Sequence, residues 1–473
     1  MSGEFDYDLI VVGGGPVGEN VADYATKRGI RVAIVEAELV GGECSYWACM
    51  PSKALLRSGH AVRAARRVAG AREAVTGPLD AAAVFARRSS FTDNWSDEGQ
   101  VAWLESAGID LIRGRGRVVA RQQVEVDGRV YSARAVALAT GSVPVVPAIP
   151  GLDGARAWGT REATAATSVP PRLTVIGGGV AGTELALAYA SLGSRVVLIS
   201  LTSLLEREEP FVGEAIADSL AAEGIDIRIG VPPRRIDRGP DGEVTVELED
   251  GSSVLSDEIL VAIGRRPNTA DLGLDAVGVS APRGLEVDET MLVVGTDWLY
   301  GVGDVNGRAL VTHQGKYQAR AAGEAIAARL RGLPVRDERW GDHVATADHV
   351  AVPSVVFTDP EVASVGFTEA RAVASGLRVR AVEYDLGWVA GAKLHADGYA
   401  GRAKLVVDEN RGVIVGATFL GPDVGELLHA ATIAIVGEVP IERLWHAVPA
   451  YPTISEIWLR LLETYGRPNP VSA

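Results

Sequence analysis

Residues 8–36 read "DLIVVGGGPVGENVADYATKRGIRVAIVE". The pattern predicts a buried β-strand, a glycine-rich turn, an alanine-rich helix that ends at a glycine, and a second β-strand. The turn carries the pattern G-x-G-x-x-G at Gly13, Gly15 and Gly18. Glycines let a backbone turn tightly and approach a pyrophosphate, and the N-terminus of the next helix offers N–H groups and the positive end of its dipole. One such turn is a weak signal, because glycine-rich turns are common.

A second copy of this pattern strengthens the signal. Residues 172–200 read "RLTVIGGGVAGTELALAYASLGSRVVLIS", with glycines at Gly177, Gly179 and Gly182. Each copy is flanked by a predicted strand and a predicted helix, which is the context that a dinucleotide site requires. The repeat therefore predicts two dinucleotide-binding modules in one chain. The alternative is a pair of structural strand-to-helix turns without ligands.

The two copies differ where the second β-run ends. Glu36 lies 23 residues after Gly13, close to the spacing of about 20 at which an acidic side chain binds a ribose 2′-hydroxyl. The equivalent position after Gly177 is Ser200. Without a carboxylate there, nothing repels a 2′-phosphate, so the second site favours NADP over NAD. The nearest arginine is Arg207, and Ser200 could also serve NAD through a water molecule.

Both cysteines of the chain lie in residues 41–57, "GGECSYWACMPSKALLR". In a reducing compartment a close pair is typical of redox-active or metal-binding thiols, and two ligands alone make a poor zinc site, so we expect no metal. Pro51 suits the first position of a helix, which would bring Cys49 near the positive helix end and stabilise its thiolate. A dinucleotide bound beside a redox-active pair of cysteines suggests a flavin. The dinucleotide of the second module would then be a nicotinamide. The alternative is two buried, inert thiols.

Length, charge and hydropathy narrow the class of protein. A chain of 473 residues is too long for one core, so we expect two to four domains. The net charge of −15 argues against nucleic-acid and anionic-membrane partners. The N-terminus lacks the pattern of a signal peptide, and no run approaches the roughly 18 apolar residues of a membrane helix. We expect a soluble, cytoplasmic protein.

These motifs together resemble the pyridine nucleotide–disulfide oxidoreductases, the flavoprotein group of dihydrolipoamide dehydrogenase, glutathione reductase and mercuric reductase. The resemblance spans nearly the whole chain. Besides the two glycine patterns, it is carried by "GGECSYWACMPSK" at 41–53, "ALATGS" at 137–142, "AIGRRPN" at 262–268, "LYGVGDV" at 299–305 and "VPSVVFTDPEVASVGFTE" at 352–369.

The resemblance implies an α/β fold with two Rossmann-like dinucleotide-binding domains and a C-terminal α+β dimerisation domain. The FAD-binding domain would take residues 1–150 and 273–342. An NAD(P)-binding domain would take residues 151–272, and residues 343–473 would form the interface domain. Two observations on the sequence agree with this plan: a nucleotide module restarts at residue 170, and alternating β-like runs begin near residue 350, followed by a helical run at 424–436.

The resemblance also implies roles for individual residues. Cys49 would be the flavin-side sulfur, and Cys44 would exchange with the substrate. Lys53 and Glu184 would pair close to the flavin and the nicotinamide, although an ordinary surface ion pair is the alternative. The cofactor-binding positions that the family motifs imply are Gly42, Thr140, Gly141, Gly264, Arg265 (by the nicotinamide nucleotide), Asp304 (on the flavin ribityl chain) and His313 (through its backbone).

One segment departs from the family pattern. Dihydrolipoamide and glutathione reductases carry "HPT-x-x-E". Its His, oriented by the Glu, moves protons to and from the substrate thiols and is supplied by the other subunit, so a homodimer is expected. Here residues 450–456 read "AYPTISE", which keeps Glu456 but puts Tyr451 at the His position. A phenol with a pKa near 10 cannot act as a base near pH 7. His446 lies five residues upstream, where a packing role is favoured over a substitute base.

Two enzymatic hypotheses follow. In the first, NAD(P)H reduces FAD, FAD reduces the Cys44–Cys49 disulfide, and Cys44 exchanges with a small disulfide or dithiol. In the second, the enzyme is a quinone reductase, a diaphorase or a pyridine nucleotide transhydrogenase in which the disulfide is not obligatory. Tyr451 supports the second, as does Trp47, which would narrow access to the sulfurs unless it only packs at the helix start. A non-enzymatic nucleotide-binding scaffold is the third reading.

Overall fold

The structure is a computed structural model that describes residues 5–467. It divides the chain into two compact units. The first unit comprises residues 1–51, 86–145 and 264–348, and the second comprises residues 52–85, 146–263 and 349–473. The ends of the predicted FAD and interface domains, at residues 1–4 and 468–473, lie outside the described residues.

The described residues form twenty-one strands. In chain order they are Tyr7–Val12 (β1), Val32–Glu36 (β2), Asp110–Arg113 (β3), Gly116–Ala120 (β4), Gln123–Val126 (β5), Arg129–Leu138 (β6), Ser142–Pro144 (β7), Arg172–Ile176 (β8), Arg195–Ser200 (β9), Asp226–Ile229 (β10), Pro233–Arg238 (β11), Val244–Leu248 (β12), Ser253–Ser256 (β13), Glu258–Val261 (β14), Arg265–Pro267 (β15), Leu299–Gly301 (β16), Pro353–Val356 (β17), Glu361–Gly366 (β18), Val379–Asp385 (β19), Arg402–Asp408 (β20) and Val413–Gly421 (β21).

The α-helices of the same residues are Pro16–Thr26 (α1), Gly42–Tyr46 (α2), Cys49–Arg66 (α3), Ala81–Phe91 (α4), Glu98–Ala107 (α5), Leu152–Ala155 (α6), Thr160–Ala165 (α7), Val180–Ser191 (α8), Pro210–Ala222 (α9), Thr312–Leu330 (α10), Ala347–Val350 (α11), Glu369–Ala374 (α12), Ala390–His395 (α13), Leu428–Val436 (α14), Ile441–Leu444 (α15) and Ile457–Tyr465 (α16). Within residues 5–467, none of the helices combines the length and the apolar composition needed to cross a bilayer.

The first unit is built on a seven-stranded sheet. Its order is β3-β2-β1-β6-β5-β4, and β16 pairs with β6. β1 runs parallel to β2 and β6 because the "LIVV" run is apolar on both faces, and Leu9, Ile10 and Val11 are fully buried. Helices α1 and α10 pack against each other in this unit.

The second unit contains the second copy of the repeat. A four-stranded parallel sheet has the order β10-β9-β8-β14, and an antiparallel three-stranded sheet has the order β11-β12-β13. The C-terminal part forms a five-stranded antiparallel sheet in the order β17-β18-β21-β20-β19. The fold class is therefore as predicted. It has two nucleotide-type sheets, of which the first also contains the antiparallel strands β4 and β5, and a C-terminal α+β region.

One local prediction was wrong. Pro51 was expected at the first position of its helix, but α3 begins at Cys49, so Pro51 is the third residue. Proline is tolerated there because the first backbone N–H groups of a helix have no intrahelical acceptor. Cys49 therefore lies at the N-terminus of α3 itself, and the helix runs without a break to Arg66.

Candidate active site

The glycine turn of the first unit joins β1 to α1. Gly13 has φ +107°, and a Cβ there would overlap the carbonyl oxygen of Ala139. A Cβ at Gly18 would overlap the carbonyl oxygen of Gly13. Gly15 differs, because the nearest atom to its virtual Cβ is 3.9 Å away, in Gly42. The outer glycines thus close the turn, while the middle glycine leaves open space for a ligand to approach the backbone.

Glu36, at the end of β2, faces this turn. Its Oε2 accepts a hydrogen bond from the backbone N–H of Gly14 at 2.7 Å, and its Oε1 accepts from the N–H of Glu38 at 2.7 Å. The side chain is thereby held at the mouth of the turn. Its contact with a ribose 2′-hydroxyl, which the spacing after Gly13 predicts, stays a prediction.

The second turn, between β8 and α8, repeats the geometry. A Cβ at Gly177 (φ +124°) would overlap the carbonyl oxygen of Ala262, and a Cβ at Gly182 would overlap that of Gly177. Gly179 has no atom within 4 Å of its virtual Cβ. Ser200, at the end of β9, is buried against the turn at Gly178. Its hydroxyl therefore occupies the position that the carboxylate of Glu36 takes in the first copy.

The two cysteines lie together in the first unit, on α2 and at the start of α3. Both are free. A hydrogen bond to Cys49 and burial raise the pKa of the Cys44 thiol, while Thr312 and Lys316 lower it. The Sγ atom of Cys49 lies 3.4 Å from Oγ1 of Thr312. The sulfurs are thus adjacent and partly shielded, as two groups that exchange a disulfide must be.

Lys53 and Glu184 form an ion pair within the second unit. Nζ of Lys53 is 2.7 Å from Oε2 of Glu184, whose side chain is only 2% exposed. The other carboxylate oxygen accepts from the backbone N–H of Phe357 at 2.9 Å. The ammonium also lies 5.1 Å from the centre of the Phe357 ring. Because Glu184 is buried and doubly bonded, this pair is not an ordinary surface ion pair.

A polar network that the sequence did not predict surrounds Arg265. Its side chain donates to Oγ of Ser142 at 2.8 Å and to the carbonyl oxygen of Ser142 at 2.6 Å, and it pairs with Glu43. The Ser142 hydroxyl in turn donates to Asp304 at 2.6 Å. Burial raises the pKa of the Asp304 carboxyl. Arg265 lies in the first unit, and its predicted nicotinamide contact stays a prediction.

The other predicted flavin positions also lie in the first unit. Thr140 donates to the carbonyl oxygen of Asn268 at 2.8 Å, and Gly141 accepts from the N–H of Asn268 at 2.9 Å. His313 is the second residue of α10 and is exposed. Three glycines have positive φ angles that favour glycine: Gly42 (+57°), Gly141 (+71°) and Gly264 (+127°).

The C-terminal segment keeps Tyr451 and Glu456 apart within the described residues. The Tyr451 side chain is 77% exposed. Glu456 is buried and accepts a hydrogen bond from Arg460, while its Oε2 has no partner among residues 5–467. No hydrogen bond joins Tyr451 to Glu456 in this part of the chain. His446 is exposed as well.

Sequence reasoning missed the partners of the predicted residues. Glu43 and Phe357 lie inside quoted family motifs, and Thr312 directly precedes His313. Their contacts join segments that are hundreds of residues apart, such as Cys49 with Thr312. Of these partners, Glu43 could have been predicted from the sequence, because a charged residue next to a redox cysteine is expected to have an oppositely charged partner.

Comparisons with known proteins agree with this site. Residues 7–326 match the family described as pyridine nucleotide-disulphide oxidoreductase, and residues 352–461 match its dimerisation domain. The chain is 33% identical over 471 residues to a mercuric reductase of Shigella flexneri, covering 97% of this chain and 81% of that protein. It is 30% identical over 470 residues to a dihydrolipoyl dehydrogenase of Bacillus subtilis (strain 168), covering 96% of each.

A solved structure shares the whole architecture. The HOCl-induced flavoprotein disulfide reductase RclA from Escherichia coli superimposes with a TM-score of 0.82 at 25% identity, covering 97% of this chain and 99% of that one. The adjacent thiols, the two open glycine turns and these matches lead to one conclusion. The chain belongs to the pyridine nucleotide-disulphide oxidoreductase family, and it is an enzyme that uses FAD and a pyridine nucleotide.

Proposed function

We propose that this enzyme uses NADPH to reduce a Cys44–Cys49 disulfide and passes the electrons to a small disulfide substrate. The observation that carries the proposal is the pair of hydrogen-bonded thiols, Cys44 on α2 and Cys49 at the start of α3. A helix N-terminus stabilises a thiolate, which is the reactive form in thiol–disulfide exchange.

The residues present suit the two cofactors. Gly15 and Gly179 each leave space beside the backbone where a pyrophosphate could approach, at the N-terminus of a helix. Glu36 would bind the adenosine ribose of FAD, and Asp304 would bind its ribityl chain. FAD, when bound, supplies the two-electron relay between the nicotinamide and the cysteines.

The cysteines would perform the exchange in two steps. The Cys44 thiolate attacks one sulfur of the substrate disulfide, forms a mixed disulfide and releases the first substrate thiolate. Cys49 then attacks Sγ of Cys44, restores the Cys44–Cys49 bond and releases the second thiolate. Two electrons leave the protein in each cycle, and NADPH replaces them. The substrate thiolates take protons from solvent.

The Lys53–Glu184 pair would hold a cation at a defined place. The carboxylate is bound both by Lys53 and by the N–H of Phe357, so the ammonium cannot swing away without leaving a buried charge uncompensated. We assign to this pair the role of positioning Lys53 towards the cofactors, in line with the family resemblance.

The preference for NADPH rests on Ser200. A buried hydroxyl at the end of β9 cannot repel a 2′-phosphate, and Arg207 is exposed nearby in the sequence. Comparing kcat/KM for NADPH and NADH tests this directly. We expect Ser200→Glu to shift the ratio towards NADH by at least about tenfold, while Ser200→Ala changes it little. A wild-type enzyme with a strong preference for NADH would contradict the assignment.

A second candidate function is favoured by Tyr451. Its phenol replaces the histidine that serves as the base in related reductases, and this weakens proton transfer to and from the thiols during exchange. An acceptor that takes electrons without thiol chemistry, such as a quinone or a second nicotinamide nucleotide, does not need that base. Trp47, whose ring packs 5.7 Å from that of Tyr46, lies between the two cysteines in sequence and could restrict bulky dithiols.

One experiment separates the two candidates. The holoenzyme is reduced anaerobically with one equivalent of NADPH and its thiols are counted after denaturation, and turnover is then measured with lipoamide, glutathione disulfide and a quinone. We expect two new thiols in the wild type, and loss of disulfide reduction in Cys44→Ser. If Cys44→Ser keeps full activity with the best acceptor, the disulfide is not on the path and the second function holds.

We further infer that the enzyme acts as a homodimer, with the predicted domain limits at residues 150, 272 and 342. Support comes from the match of residues 352–461 to a dimerisation domain and from Tyr451, whose side chain is exposed in the described chain. In the sequence, strands of the FAD-type sheet come both before and after the strands of the second unit's nucleotide-type sheet. This order supports the predicted insertion.

A further inference from the structure

Helix α2, which carries Cys44, is only five residues long, Gly42–Tyr46. So short a helix is marginal by itself, because few backbone bonds offset the cost of nucleation, and contacts from outside must hold it in place. Its C-terminal end is held by Trp95, whose Nε1 donates to the carbonyl oxygen of Tyr46 at 3.2 Å. Its N-terminal end is held through Glu43, the residue directly before Cys44.

The partner of Glu43 is Arg265. Nη2 of this arginine lies 2.5 Å from Oε2 of Glu43. The same nitrogen donates to the carbonyl oxygen of Ser142 at 2.6 Å, and Nε donates to the Ser142 hydroxyl at 2.8 Å. The guanidinium therefore joins α2 to Ser142 by three bonds from one planar fork, an arrangement that a lysine ammonium cannot reproduce.

A small antiparallel ribbon holds this arginine. Ser142 begins β7 and Arg265 begins β15, and the two strands pair with Arg265 opposite Pro144 and Pro267 opposite Ser142. The backbone thus fixes the distance between the guanidinium and both of its acceptors on Ser142. Helix α2 is bound to a folded element of the first unit.

The network continues from Ser142 to Asp304. The Ser142 hydroxyl accepts from Arg265 and donates to Oδ2 of Asp304 at 2.6 Å, so a single O–H serves both neighbours. Burial raises the pKa of the Asp304 carboxyl, whereas the Ser142 hydrogen bond and the Arg265 charge oppose that shift. Asp304 is the residue that the family resemblance assigns to the flavin ribityl chain. Arg265 therefore lies between a predicted flavin contact and the helix of Cys44.

We propose that Arg265 is a positioning residue that holds α2, and with it Cys44, against the Ser142–Asp304 side of the predicted flavin site. The proposal rests on the proposed disulfide-exchange function, because it concerns the sulfur that meets the substrate. Cys44 must stay close to Cys49 for the disulfide to close again, and this leaves α2 a narrow range of positions. The family resemblance places Arg265 by the nicotinamide nucleotide instead, and the two assignments predict different effects of one substitution.

Hydrogen exchange tests the contact without turnover. The oxidised holoenzyme is placed in deuterated buffer, and the peptides that contain α2 and α1 are followed by mass spectrometry. We expect Arg265→Met to speed exchange of the α2 peptide about tenfold, because the helix loses its bonds at one end, and to leave the α1 peptide unchanged. Arg265→Lys, which keeps the charge but not the fork, should lie between that variant and wild type.

Glu43→Gln tests the same link from its other end. This variant leaves the bonds between Arg265 and Ser142 in place, so it should fold even if Arg265→Met does not. We expect faster exchange of the α2 peptide here as well. The double variant should be no faster than Arg265→Met alone, because both substitutions remove one contact. Wild-type exchange in Glu43→Gln would overturn the proposal.

Steady-state kinetics separate the positioning role from a nicotinamide contact. With NADPH and glutathione disulfide, kcat of Arg265→Met should fall at least about tenfold, because a misplaced sulfur loses its reactive geometry. The KM for NADPH should stay within about twofold of wild type, as should turnover with ferricyanide, which takes electrons directly from reduced flavin. If the wild type reduces no disulfide, the proposed function fails, while hydrogen exchange still tests the position of α2.

Arg266→Met is the matched control. Arg266 follows Arg265 in β15 and is exposed, and successive side chains of a strand point to opposite faces. Its removal should leave both the exchange of α2 and the kinetics unchanged. The proposal is overturned if Arg265→Met exchanges the α2 peptide at the wild-type rate with unaltered FAD content. It is also overturned if the main effect of Arg265→Met is a raised KM for NADPH.

Discussion

The Glu184 carboxylate is buried away from water, and it is bound by the Lys53 ammonium and by one backbone N–H. Removing Lys53 leaves that buried carboxylate uncompensated, and breaking such pairs costs about 3 kcal/mol. We therefore expect Lys53→Met to lower the thermal midpoint strongly, and Glu184→Gln, which can still accept from Phe357, to lower it less. The double variant should be more stable than Lys53→Met alone. A double-mutant cycle of thermal midpoints measures the coupling, and simple additivity would contradict it.

Glu19 makes stability depend on pH. The folded protein holds the Glu19 proton up to about pH 7, whereas an unfolded glutamate releases it near 4.5. The folded state therefore binds the proton more tightly, so its stabilising contribution is complete below about pH 4.5 and is lost as pH rises through about 7. The loss is about 3 kcal/mol for this shift.

Glu19→Gln removes this loss. We expect the variant and the wild type to differ little in thermal midpoint near pH 5, and the variant to be the more stable by up to about 3 kcal/mol near pH 8. Midpoints of the two proteins measured side by side across this range check the sign. A constant difference at every pH would mean that Glu19 does not titrate in this window.

At this scale the sequence revealed the residues that carry chemistry but not their partners. Cys44, Cys49 and Glu36 stand out through their residue type and spacing. Thr312 does not, because a threonine at the start of a helix is ordinary there. Only the fold brings its hydroxyl close to Sγ of Cys49.

Among the elements, the two glycine turns allow the sharpest comparison. A Cβ at Gly177 would overlap Ala262 and would sit at φ +124°, so we expect Gly177→Ala to destabilise the second unit. A Cβ at Gly179 meets no atom within 4 Å, so Gly179→Ala should fold normally. It would, however, fill the space left for the pyrophosphate.

The expected signature of Gly179→Ala is a raised KM for NADPH, by about tenfold or more, at an unchanged thermal midpoint. Steady-state kinetics and a melting curve of the two variants suffice. If Gly179→Ala bound NADPH as tightly as wild type, the open side of the turn would not be the nucleotide site.

Element boundaries were harder to predict than element types. The strand–turn–helix order of both repeats follows from apolar runs and glycine patterns, and it is confirmed. The start of α3 was placed two residues late, because proline is compatible with several positions in a first helical turn. The error mattered chemically, since it decided whether Cys49 precedes its helix or begins it.

For the whole molecule, the internal repeat predicted the parallel strands of both nucleotide-type sheets, but it could not predict how the chain returns to the first sheet. That return is made by β16, three residues that pair with β6. A strand so short has no readable periodicity. The family resemblance supplied the discontinuous FAD domain, and the sheet order of the first unit is consistent with it.

The last prediction concerns assembly. The region that matches the dimerisation domain exposes large apolar side chains, among them Val448 at 85%, Leu394 at 72% and Ile433 at 57%. A contiguous exposed apolar patch is typical of an interface, and we expect these side chains to contribute to one. We expect Val448→Asp to shift the protein towards monomers in light scattering, because a buried unpaired carboxylate costs several kcal/mol at an interface. Val146→Asp, at a position 69% exposed outside that region, should remain dimeric.

If the assembled state places Tyr451 in the partner's site, the Val448→Asp monomer should also lose disulfide reduction while keeping its FAD. A fully active monomer would remove the reason for assigning Tyr451 any role there.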